Sequence, residues 1–89
     1  MTDKLDPDHI EWSRNHFRII ADGGVWGVPR SGLMFTKRGN NKLVLTARMP
    51  YVAGMPCSAD ELAEQQQGDY EGIKRYMEAA GVIVEDATT

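Results

Sequence analysis

Few side chains in this sequence could do chemistry, and their spacing limits what that chemistry could be. His9 and His16 are the two histidines. Seven residues apart, they stand two turns from each other on a helix, whereas helical metal ligands are spaced three or four apart, so a shared metal would need unusual reach. They read as structural or exposed residues, and no metal or other cofactor is expected. Cys57 is the single cysteine. It lies just before a helix start, where the macrodipole lowers a thiol pKa and favours a thiolate nucleophile. Packing against Leu62 explains the same placement, and one cysteine can build neither an internal disulfide nor a multi-thiolate zinc site. The glycines of Gly23-Gly24-Val25-Trp26-Gly27 would cradle a phosphate only if a strand led from them into a helix N-terminus. Their flanks read as strands, so they read as a turn and a close approach of backbone. The acids Asp60, Glu61, Glu64, Asp69, Glu71 and Glu78 match a solvated helix face. These readings point away from an enzyme.

The distribution of charge is more informative than the net value of -3. Asp3, Asp6, Asp8 and Glu11 outnumber Lys4 at the start of the chain. Arg14, Arg18, Arg30, Lys37, Arg38, Lys42 and Arg48 then face Asp22 alone, and from residue 49 onward eight acids face only Lys74 and Arg75. A basic middle is thus flanked by acidic ends. Two consequences follow. The acidic segments can neutralise the cations, within the fold or across a homodimer. Alternatively Arg18, Arg30, Lys37, Arg38, Lys42 and Arg48 contact phosphates while Phe17, Trp26 or Phe35 stack on bases, as in sheet-based nucleic-acid binders.

The elements that must position these groups predict an α+β fold. Asp6 as N-cap and Pro7 at the first helical position start a short helix that should run to about Asn15 or His16. Apolar and β-branched runs at Phe17 to Ala21, Val25 to Val28, Leu33 to Lys37 and Lys42 to Met49 are separated by turn residues, and predict a four-stranded antiparallel β-meander. If Gly39-Asn40-Asn41 is a three-residue loop, Phe35 faces Leu45 and Leu33 faces Ala47. Met34, Thr36, Arg38, Val44, Thr46 and Arg48 then occupy the other side. Pro50 to Cys57 is an irregular apolar connection that crosses the sheet edge. Ser58 and Glu61 form a capping box for a helix over 59 to 80, packed on the sheet through Leu62, Gln66, Tyr70, Ile73 and Met77. Gly68 before Asp69 would admit a kink or a new helix start. Gly81 fits the left-handed position after the helix, and Val82 to Val84 read as a final short strand.

The order of helix, strands and helix resembles that of double-stranded-RNA-binding domains. Those domains have a lysine-rich start to the second helix, and this chain has Ser58-Ala59-Asp60-Glu61 there. The resemblance ends at element order, and no function is carried over from it.

At 89 residues, with 42% hydrophobic and 26% charged side chains, the chain reads as one domain over 1–89 with frayed ends at about 1–4 and 86–89. No stretch approaches the length of a membrane span, and nothing near Met1 reads as a secretory leader, so a cytoplasmic location is expected. The expectation is a small non-enzymatic interaction or regulatory module. It would contact a protein partner or a second copy through Tyr51, Val52, Met55 and Trp26, in the manner of a phage or mobile-element accessory protein that modulates a larger enzyme. The alternative is nucleic-acid binding by the basic meander.

Overall fold

In the computed structural model, residues 4–50, 52, 54 and 58–88 are described. Six elements follow one another: α1 (Pro7–Ile19), β1 (Val25–Val28), β2 (Leu33–Arg38), β3 (Lys42–Arg48), α2 (Ala59–Ala79) and β4 (Ile83–Asp86). The strands form one sheet in the order β1-β2-β3-β4.

The start of α1 follows from local chemistry. The Asp6 side chain accepts from the Asp8 amide and Pro7 occupies the first turn. The end of α1 differs from expectation, because Phe17 to Ala21 is not a strand. The helix runs on through Ile19, which puts Phe17 one turn after Ser13 on the buried side and leaves Ile19 77% exposed. Lys37 holds this last turn. Its ammonium donates to the Phe17 carbonyl at 2.9 Å and lies 4.3 Å from the centre of the Phe17 ring. A cation there complements the negative end of the helix dipole.

β1, β2 and β3 form an antiparallel meander. Gly39, at φ +70°, opens the three-residue loop between β2 and β3, and Phe35 pairs with Leu45. Beyond that pair the register shifts: Met34 meets Ala47 and Leu33 meets Arg48, so Thr46 is an extra residue on β3. A one-residue shift reverses every side chain beyond it. Arg48, expected beside Thr36 and Val44, therefore points to the same side as Leu33 and Phe35.

The sheet is mixed, which corrects the expectation of a purely antiparallel one. β4 pairs in parallel with β3. The reason is the connection, since a 21-residue helix of roughly 30 Å carries the chain back along the sheet before β4 begins. α2 starts at the Ser58–Glu61 capping box and continues without interruption through Gly68 and Asp69. It ends in a Schellman arrangement, with Val82 N–H bonded to Met77 O at 2.9 Å, Gly81 N–H to Glu78 O at 3.0 Å, and Gly81 at φ +90°.

The core lies between the helices and one face of the sheet. Leu33, Phe35, Leu43, Leu45 and Val84 from the strands meet Phe17 from α1, Tyr70 and Met77 from α2, and Val82. Burying such side chains is the main source of stability for a chain of this size. Among the described residues no helix is long and apolar enough to cross a membrane.

Candidate functional site

Alternation along the strands sends half of their side chains away from the helices, and this outer face has no element over it among the described residues. Its central row is Val25, Thr36, Val44 and Glu85, each in register with the next. Arg38, Lys42 and Ile83 form the row toward the β2–β3 loop, and Gly27, Met34 and Ala47 the row toward the other end. Val25 is 56% exposed and Ile83 48%, while Met34 and Val44 are half-buried by their neighbours in the sheet. The Thr46 hydroxyl donates to the Met34 carbonyl at 3.2 Å and lies 3.2 Å from the Thr36 hydroxyl, so the two threonines of the face find partners within the sheet. At the Met34 end an apolar groove opens against Pro29, Gly32, Met49 and Val52. A Cβ on Gly32, which sits at φ +73°, would lie 2.9 Å from Val52 Cγ2, so glycine is what lets the connection after β3 approach.

The six cations singled out from the sequence do not share a surface. Arg38 and Lys42 lie on the outer face, and Lys42 pairs with Glu85 at 3.3 Å. Lys37 is buried on the inner face under α1. Arg48 also lies inside, bonded to Asp86 at 2.5 Å, Thr88 at 3.0 Å and Gln67 at 3.1 Å, with its guanidinium 5.6 Å from the Tyr70 ring centre. Arg30 lies in the β1–β2 turn, 3.5 Å from Asp69, and Arg18 is exposed on α1. Three of the four ion pairs among the described residues thus join the basic middle to acids of α2 and β4.

Of the expected interface residues, Val52 lines the apolar groove. Trp26 is turned inward, in edge contact with His16 at 4.5 Å and stacked on Phe35 at 5.4 Å. Tyr51 and Met55 lie outside the described residues, as does Cys57.

Titration behaviour follows packing. Burial lowers the His16 pKa from its usual 6.5, and its Nε2 has no hydrogen-bond partner among the described residues. Burial alone would raise the Asp86 carboxyl, but hydrogen bonds from Thr88 and Arg48 and the Arg48 charge outweigh it and hold the pKa below 3.8. Burial, reinforced by the nearby Asp86 charge, pushes the Tyr70 phenol above 10.0. Among the described residues no three His, Cys, Asp or Glu side chains are grouped to hold a metal ion.

The sequence reading did not foresee the ring cluster on the helical side. Trp12 stacks between His9 at 5.4 Å and His16 at 4.7 Å, and His9 meets the edge of Tyr76 at 4.3 Å. The spacing 9, 12, 16 was its local signal, being a helical stripe of rings. The contributions of Trp26 and Tyr76 come from distant elements. No family of known proteins, no curated protein and no solved structure matches the chain.

Proposed function

We propose that this chain is a non-enzymatic protein-interaction module that pairs with a second copy of itself through the outer face of its sheet. The observation that carries the reading is that both helices pack on one side, leaving Val25, Met34, Val44 and Ile83 on the other with no element over them among the described residues. An apolar sheet face left in water is a marker of an interaction surface.

A second copy is the occupant that the chemistry favours. The face carries Arg38 and Lys42 in the row by the β2–β3 loop and Glu85 at the β4 edge of the central row, and is apolar in the row of Met34 and Ala47. Two copies related by a two-fold axis can therefore oppose their apolar rows and keep the charges in water. Such pairing leaves the helices outward, where a larger protein can be engaged and modulated.

Nucleic-acid binding by the meander is the weaker reading, because Lys37 and Arg48 are committed to the interior and Lys42 to Glu85. Dilution followed by backbone amide NMR tests the preferred one. Concentration-dependent shifts are expected at Val25, Met34, Val44 and Ile83. Shifts confined to α1 and α2, or none across the range, would refute it.

A further inference from the structure

The opposite side of the molecule holds a pocket that the docking face does not use. α1, α2 and β1 surround a space of about 200 Å³ walled by His9, Trp12, Trp26 and Tyr76. The rings fix one another's orientation: His9 and Trp12 are stacked, Tyr76 meets His9 edge-on, and His16 links Trp12 to Trp26. Their faces and edges are thus set before any ligand arrives.

Asp69 lines the same pocket. One carboxylate oxygen lies 3.5 Å from Arg30, whose side chain is 76% exposed, and the other is buried with no hydrogen-bond partner among the described residues. The oxygen that faces Arg30 is the one an entering positive group could share, and its contact with Arg30 is long and exposed on the arginine side. Arg30 reaches in from solvent at the outer limit of hydrogen bonding and can swing aside.

Gly72 supplies a third observation. It also lines the pocket, and a Cβ built on it would meet nothing within 4 Å. Glycine is a weaker helix former than alanine. Its place in the interior of α2 keeps open a volume that a side chain would fill.

We infer that this pocket binds an organic cation, an ammonium or guanidinium group, with Asp69 as counter-charge and the rings of Trp12, Trp26 and Tyr76 as walls. Both faces of Trp12 are covered by His9 and His16, so it walls the pocket, and the attraction of a ring for the cation falls to Trp26 and Tyr76. An organic cation can take the place of Arg30 at Asp69, which neither an anion nor a neutral apolar ligand can do. The site is separate from the docking face, so its test can succeed or fail whatever the oligomeric state.

Trp12 and Trp26 are the two tryptophans of the chain, so intrinsic fluorescence reports on this pocket directly. Choline represents a free cation, Nα-acetylarginine amide a partner's side chain, and 3,3-dimethylbutan-1-ol is the neutral isostere of choline. A saturable change is expected with at least one of the cations, the tighter of the two identifying the source, and none with the neutral alcohol. Asp69→Asn should weaken cation binding by about tenfold or more, since a charge-assisted contact becomes a neutral one. Gly72→Leu should abolish it with the far-UV circular dichroism unchanged. If Gly72→Leu misfolds, the nearly isosteric Asp69→Asn decides. No saturable response to either cation, an equal response to the neutral alcohol, or undiminished binding by Asp69→Asn would overturn the inference.

Discussion

Replacing Arg48 by methionine should cost this protein about 2–3 kcal/mol of stability, between the values for an exposed and a fully buried ion pair. The estimate comes from the position of the side chain. The extra residue at Thr46 turns Arg48 inward, where its guanidinium meets Asp86, Thr88 and Gln67 and lies over Tyr70. The Arg48 and Asp86 side chains are only 22% and 15% exposed. Exposed pairs contribute at most about 1 kcal/mol, and removing one partner of a fully buried pair costs about 3–5 kcal/mol. Methionine preserves much of the aliphatic packing on Tyr70, so the loss reports the charged head. For a domain whose total stability is roughly 4–13 kcal/mol, the melting temperature should fall by roughly 10–20 °C. Urea unfolding followed by tryptophan fluorescence gives the value, and a double-mutant cycle with Asp86→Asn isolates the pair, with a coupling of about 1–2 kcal/mol. A variant within about 0.5 kcal/mol of the parent, or a cycle with no coupling, would refute the placement of Arg48.

Acid should destabilise the fold in two stages. Burial holds the His16 pKa below 6.5, so the unfolded chain takes up that proton first; this contribution is complete above 6.5 and declines as the pH falls below it. Asp86 is held below 3.8, so its contribution is present above that value and is lost as the pH drops toward the folded pKa. Urea melts at neutral pH and at successively lower pH check the order, and His16→Gln should flatten the first decline. Gly68→Ala should stabilise the domain by about 1 kcal/mol, because this exposed helical glycine has open space where a Cβ would go; a differential scanning calorimetry midpoint that fails to rise would count against a regular helix there. Titration with a single-stranded oligonucleotide at low salt should show no saturable binding, whereas tight, steeply salt-dependent binding would restore the nucleic-acid reading.

What the sequence disclosed was mostly local. Asp6 with Pro7, Ser58 with Glu61, and Gly39 in its loop each act within a few residues, and their effects could be read directly. Phe17 to Ala21 could not be, because an apolar β-branched run suits a strand as well as the last turn of a helix. Lys37, twenty residues later, settles it by capping that turn. The extra residue at Thr46 carries no signature in composition, yet it decides that Arg48 serves the interior. The direction of β4 depends on where a 21-residue helix delivers the chain. The same limit applied to the sites. Val44 and Thr36 were legible as an outer row, whereas Trp26, expected at an interface, was claimed by His16 and Phe35. Asp69 meets the rings of α1 and β1 only once α2 has packed beside them.

Sedimentation velocity of the parent chain beside Val44→Lys tests the proposed pairing most directly. Residue 44 is central on the outer face and in register with Glu85, so a lysine there is tolerated by a single copy but places a charge in the middle of the joint. The account predicts that the parent sediments at twice the 9.9 kDa chain mass and Val44→Lys at the chain mass, with identical circular dichroism. A parent that remains a single chain at millimolar concentration, or a Val44→Lys variant that still pairs, would contradict it.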